Sequence, residues 1–325
     1  MREAGVAKHI ADRMLDAIEA KQAPLCIGLD PMYERLPKQI REIATANPGG
    51  LNEQAAAARE FCQTVIDIVG PQVPCVKLQS AYFERCGPSG VRAYFEVADY
   101  AHEQGLVVIG DVKRADIGST AEAYAVAHLE EVFVGSGKDE RAVTLDAVTV
   151  NPYFGKDGVQ PFIETAKKGG QGVFVVIRTT NPSATDFQDF KDADGRRVFE
   201  RIAERVNDWA NQEGCLGDSG YSLVGAVVAA TYPEDTKLLR ALMPNSLLLV
   251  PGVGAQGASI EDATQAFHDD GWGALVTVSR SVIYAWERPE YQHLGEVNWE
   301  EAIEVAAVEA KAALAEALAR RAGAA

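Results

Sequence analysis

Cysteine is sparse and shows no paired spacing: Cys26, Cys62, Cys75, Cys86 and Cys215 include no C-x-x-C. That excludes a zinc ribbon or a thioredoxin-like redox motif, and an odd count in a chain with an ample core points to reduced thiols. The 5 histidines have no metal-ligand spacing, so no metal site is expected. Basic residues are also under-represented, 31 against 47 acidic ones for a net charge of −16, and no run of Lys or Arg is dense. Nucleic acid is therefore not an expected partner. The same acidity repels phosphorylated small molecules at long range, so a site for one would need local cations and amide dipoles. No window approaches the length of a membrane span, and no unbroken apolar stretch resembles a secretory signal. A soluble, cytoplasmic protein is the expectation.

What is present is an alternation of short apolar runs with longer amphipathic ones. Near the N-terminus Ile10, Met14, Leu15 and Ile18 have the spacing of one helical face. Strands are predicted at 24–30, 73–79, 106–112, 145–150, 172–178, 223–230, 246–250 and 273–279, and a helical pattern follows each. Eight βα units closing once make a TIM barrel, a fold of about 250 residues before insertions. The fold class expected is thus α/β, a single (β/α)8 barrel with an N-terminal helix and long connections after strands one and five. One domain is expected over residues 1–325, with the barrel at about 22–320.

In such a barrel the functional groups sit at the C-terminal ends of the strands. Strand one ends in Asp30, strand two carries Lys77 near its end, and strand three delivers GDVKRADIGST, with Asp111, Lys113, Arg114 and Asp116. Alternation along an extended chain puts Asp111 and Lys113 on one side and leaves Asp116 in the loop. A bare D-x-K-x-x-D can be a solvated loop. At neighbouring strand ends, however, opposite charges would be held close together, where burying any one without partners is costly. Such an array can keep a lysine protonated beside a carboxylate, which suits a reaction that makes a carbanion and then delivers a proton.

A second signal is VPGVGAQGAS, where Gly252, Gly254 and Gly257 spell G-x-G-x-x-G. A dinucleotide fingerprint is excluded by context: the unit is the seventh of eight, and no acidic residue follows near Thr277 to hold a ribose. In a barrel the loops after strands seven and eight form a phosphate cradle. Arg280 at the end of strand eight supplies a cation for it, with a surface ion pair as the alternative. After strand five, RTTNPSA offers Thr179, Thr180 and Asn181 either as neutral partners for an amide-like ring edge or as turn formers. His128 and His268 lie in helical patterns and read as packing or surface residues.

Taken together, PLCIGLDP, the D-x-K-x-x-D-I-G-x-T block, RTTNPSATDFQDF, AATYPED, PGVGAQG and SRSVIYA resemble the orotidine 5′-phosphate decarboxylase family, in its longer bacterial, type 2 branch. The resemblance covers nearly the whole chain. It implies decarboxylation of orotidine 5′-phosphate to uridine 5′-phosphate in de novo pyrimidine biosynthesis, with no cofactor and no metal. It implies Lys113 as the donor of a proton to C6, Asp111 beside the substrate carboxylate, and Lys77 and Asp116 as the rest of the charged network. Asp30, Lys77 and Thr120 correspond to ribose contacts, with Asp116, Ile117 and Thr120 crossing into the partner's site of a homodimer with shared active sites. Gly254, Gln256, Ser279 and Arg280 fall at the phosphate loop, Gln256 bridging phosphate and base. Thr180 stands where the family more often has a serine. Two other readings remain: a metal-dependent sugar-phosphate decarboxylase or aldolase of the same superfamily, and a catalytically silent nucleotide-binding barrel.

Overall fold

In the computed structural model, which describes residues 8–43, 50–134, 141–254 and 256–324, eight parallel strands close into a barrel. In chain order the strands are β1 (Leu25–Leu29), β2 (Cys75–Gln79), β3 (Val107–Arg114), β4 (Val132–Val134), β5 (Arg141–Val143), β6 (Ala147–Val150), β7 (Gly172–Val176), β8 (Ser222–Val227), β9 (Ser246–Val250) and β10 (Ala274–Val278). The barrel runs β1-β10-β9-β8-β7-β6-β3-β2, while β4 and β5 form a separate antiparallel pair. Barrel strands are covered on both faces, which is why they are continuous apolar runs such as LCIGL and SLLLV, buried at every position. The β4–β5 pair is not anticipated by the sequence pattern. Its VFV and RAV segments have three residues each, too short to show a period.

The N-terminal helix Ile10–Lys21 forms as its spacing predicts and buries Ile10, Met14 and Ile18. It closes the end of the barrel opposite the strand C-termini. Arg13 pairs with Asp146, the residue just before β6, and Asp12 accepts the N–H groups of Asp218 and Ser219 ahead of β8. The long connection after β1 carries a 3-10 turn at Tyr33–Arg35 and a short helix at Lys38–Ile43. The one after β7 folds as a 3-10 turn, Pro182–Asp186, and the helix Val198–Ala210. All five cysteines are buried and unpaired. Among the described residues no helix is long and apolar enough to cross a membrane. His128 is a packing residue of the helix Gly118–Leu129, stacked on Phe95, whereas His268 lies in a turn and not in the helix its surroundings suggest.

Candidate active site

The centre of the site is one carboxylate. Asp111 Oδ2 accepts hydrogen bonds from Lys77 Nζ at 2.8 Å and Gln79 Nε2 at 3.0 Å. Its Oδ1 accepts from Lys113 Nζ at 2.5 Å and Thr149 Oγ1 at 2.9 Å. Two partners on each oxygen exhaust the acceptor positions of a carboxylate. Burial opposes its charge, but Lys77 and Lys113 outweigh burial and hold the Asp111 carboxyl well below the usual carboxylate range. Burial likewise opposes the charge on Lys77, and Asp111 and Asp30 outweigh it, keeping the ammonium above its ordinary value. Asp111 is therefore a fixed anion, suited to holding charges in place and not to carrying a proton.

The strands explain why these groups meet. Asp111 stands opposite Gln79 in the β2–β3 register, and Lys77 lies two residues earlier on the same face of β2. Lys113 reaches Asp111 by a route that simple alternation misses. The pairing of β3 with β6 shifts register between Gly110 and Arg114, and Lys113 takes a left-handed φ of 44°. This bulge turns the Lys113 side chain back over the barrel mouth. Arg114 leaves the mouth, pairing with Glu84 and lying 5.6 Å from the Tyr124 ring.

Asp30, Lys77, Asp111, Lys113, Thr180, Gln256, Ser279 and Arg280, with Thr149, all line one cavity open to solvent. Asp30 presents a buried Oδ1 with no hydrogen-bond partner among the described residues. Its backbone carbonyl is tied to Tyr284, whose hydroxyl donates to it at 2.7 Å. Ser279 packs over Gly28, where a Cβ would lie 1.8 Å from Ser279 Oγ. Arg280 has no carboxylate partner among the described residues, so the surface ion pair considered for it is not formed there.

The glycine loop folds on itself. Gly252, Gly254 and Gly257 have φ of 116°, 75° and 93°, which side chains with a Cβ rarely adopt. The N–H of Gly254 donates to Ala258 O at 3.0 Å, so this amide is engaged within the loop, and Gly254 sits at the rim beside Ser281 and Arg280. A Cβ on Gly252 would lie 3.0 Å from Thr180 and 3.5 Å from Gln256 Oε1, so the absence of a side chain lets the two loops approach each other at the mouth.

The loop after β7 divides its polar groups. Thr179 is used internally: its N–H donates to Gln188 Oε1 at 3.1 Å, and its hydroxyl donates to Asn181 Oδ1 at 2.6 Å. Thr180, by contrast, has no hydrogen-bond partner among the described residues and faces the mouth. Buried Arg178 clamps the base of this loop, with Asp235 at 3.1 Å and the Tyr232 ring at 3.9 Å. Asp116, Ile117 and Thr120 lie outside the cavity. Asp116 accepts the N–H of Ile117 at 2.8 Å, and Ile117 is 53% exposed. Within one chain Asp116 thus stands outside the cavity that the Lys77–Asp111–Lys113 array lines, in the loop where alternation leaves it.

Sequence reasoning missed Gln79, Thr149 and Gln188. Gln79 could have been found as the next residue on the Lys77 face of β2. Thr149 carries no signal, since a threonine inside AVTV reads as an ordinary strand former. Among the described residues no group of three His, Cys, Asp or Glu is placed to hold a metal ion.

A closed parallel barrel with two lysines around a buried carboxylate, facing an arginine beside a glycine loop, has the layout of a barrel enzyme whose site lies at the strand C-termini. Comparison with known proteins narrows the class. The sequence matches the orotidine 5′-phosphate decarboxylase / HUMPS family over residues 23–291. It is 43% identical over 286 residues to the orotidine 5′-phosphate decarboxylase of Rhodopirellula baltica, covering 87% of this chain and 91% of that one. With the Deinococcus radiodurans protein of the same name it shares 40% over 279 residues, 86% and 89% of the two chains. The structure of Leishmania donovani OMP decarboxylase is similar with a TM-score of 0.70 at 28% identity, covering 95% of this chain and 99% of that one. The chain belongs to the orotidine 5′-phosphate decarboxylase / HUMPS family and is an enzyme, as the resemblance implies.

Proposed function

We propose that the protein converts orotidine 5′-phosphate to uridine 5′-phosphate in de novo pyrimidine biosynthesis, without metal or organic cofactor. The observation that carries this reading is the Lys77–Asp111–Lys113 array in a mouth that also holds Arg280, which has no carboxylate partner among the described residues. Arg280 and the glycine loop take the phosphate, Gln256 spans phosphate and base, and Asp30 with Lys77 takes the ribose. Thr180 meets the edge of the pyrimidine. The substrate carboxylate then lies against Asp111, which is already saturated with donors and cannot accept a proton to relieve the repulsion.

The C6–carboxylate bond breaks heterolytically: carbon dioxide leaves and the electron pair stays on C6. That pair lies in the ring plane and gains nothing from the ring π system, so preorganised charge must stabilise it, chiefly the ammonium of Lys113. Lys113 gives its proton to C6, forming the new C–H bond, and the resulting amine is reprotonated by solvent. Phosphate binding remote from C6 supplies energy for closing the glycine loop and excluding water.

The barrel acts as a single domain in the cytoplasm, as a homodimer. Asp116, Ile117 and Thr120 of each chain complete the partner's site, which fits their position outside their own cavity. The test is turnover of orotidine 5′-phosphate by pure protein with and without exhaustive chelation. Equal rates are expected. Loss on chelation with recovery in magnesium would assign the chain to the metal-dependent branch, and uridine 5′-phosphate binding without turnover would make it a silent binder.

A further inference from the structure

We propose that Thr149 is a positioning residue that holds the proton donor through its backbone. Its side chain, 1% exposed on β6, makes two bonds with one hydroxyl: Oγ1 accepts the N–H of Lys113 at 2.9 Å and donates to Asp111 Oδ1 at 2.9 Å. The first bond lies where β3 leaves the regular ladder with β6, between Gly110 and Arg114. A hydroxyl thus supplies the acceptor for Lys113 at the break in strand pairing. The left-handed φ of 44° at Lys113 is unfavourable for a residue with a Cβ and persists where the surroundings enforce it. Thr149 is a direct source of that enforcement.

The second bond ties the same hydroxyl to the carboxylate that Lys113 grips. Because a hydroxyl has one proton, donation to Asp111 leaves its lone pairs for the Lys113 N–H. Backbone turn, carboxylate and ammonium are therefore oriented by a common atom. Without that atom the part-buried N–H loses its acceptor, the bulge is free to relax, and the ammonium shifts relative to C6. Displacements of about 1 Å at a reacting centre can cost on the order of a hundredfold in rate. Thr149 lines the same cavity as Arg280, but its hydroxyl is committed to Lys113 and Asp111 and makes no bond to Arg280, so phosphate affinity should survive its loss.

This inference rests on Lys113 being the proton donor, and two readouts separate the claims. In steady-state assays with orotidine 5′-phosphate, Thr149→Val, which keeps the shape and removes the oxygen, should lower kcat roughly 10- to 100-fold. KM and uridine 5′-phosphate affinity should stay within about threefold, and Thr149→Ser should keep kcat within about threefold because its hydroxyl survives. If Thr149→Val does not fold, Thr149→Ala carries the same expectation. Independently of activity, hydrogen exchange at the Lys113 amide should accelerate in the Val variant and not in the Ser variant. Near-normal kcat in Thr149→Val, equal losses in Val and Ser, a loss confined to KM, or unchanged exchange would overturn the proposal. An inactive wild type with the expected exchange pattern would uphold the clamp and overturn the functional reading.

Discussion

Asp111→Asn should destabilise the protein even though it changes one atom. The substitution turns an acceptor toward Lys77 or Lys113 into an N–H₂ donor, and Lys77, 7% exposed at its side chain, loses its main counter-charge. Breaking a buried pair by removing one partner costs about 3–5 kcal/mol, and Asp30 remains as a second carboxylate acting on Lys77, so the expected loss is about 3 kcal/mol. For a chain of 325 residues that corresponds to a fall in Tm of about 4 °C. The pH signs agree. Asp111, whose folded pKa is depressed, contributes stability above its unfolded value that is lost as pH falls through the folded one. Lys77, whose folded pKa is raised, contributes stability below its unfolded value that is lost as pH rises through the folded one. Both contributions are complete at neutral pH. Urea denaturation of the wild type, Asp111→Asn, Lys77→Met and the double variant measures the effect. The double variant should be less destabilised than the sum of the singles by about 2 kcal/mol, because no buried ammonium is then left unpaired. Additivity within about 0.5 kcal/mol would refute the inferred ion pair.

Other consequences concern separate parts of the molecule. Arg280→Ala should weaken uridine 5′-phosphate by about 1.5–3 kcal/mol in calorimetry and leave uridine binding unchanged; equal losses for both ligands would contradict a phosphate role. Lys113→Ala and Asp116→Asn chains, each nearly inactive, should recover about a quarter of wild-type activity per site when mixed, since half the dimers are mixed and half their sites intact. No recovery after verified subunit exchange would place Asp116 in its own chain's site. Burial lowers the His128 imidazole to about 4, so its neutrality favours folding above its unfolded pKa and that contribution is lost as pH falls toward 4. His128→Phe should flatten the decline in stability between about pH 6.5 and 4; an unchanged slope in denaturation curves would count against the assignment.

The barrel was legible because parallel strands buried on both faces leave apolar runs, and because turn residues and helical periods separate them. Asp30, Lys77, Asp111, Lys113 and Arg280 were legible as charges at strand ends, which this architecture gathers at one mouth. Less was legible where a residue departs from its element's regular geometry. Alternation paired Asp111 with Lys113, but the pairing is made through a bulge and a left-handed lysine, which no hydrophobic pattern encodes. Thr149 was hidden by its β propensity, and Gln188 by lying in a connection whose fold depends on the buried Arg178 clamp. Asp116 is left in the loop by alternation, and there it accepts the N–H of Ile117.

In the proposed reaction Lys113 supplies the proton to C6. The direct measurement is kcat with orotidine 5′-phosphate for Lys113→Ala, alongside the affinity of the same variant for uridine 5′-phosphate by calorimetry. In the proposed mechanism the ammonium both stabilises the carbanion and protonates it, while the groups assigned to phosphate and ribose lie elsewhere. Turnover should therefore fall by at least about 10⁴-fold, with product affinity within about tenfold of wild type. Turnover within about tenfold of wild type, in protein shown to be folded and metal-free, would contradict the account and move the proton donor to another group.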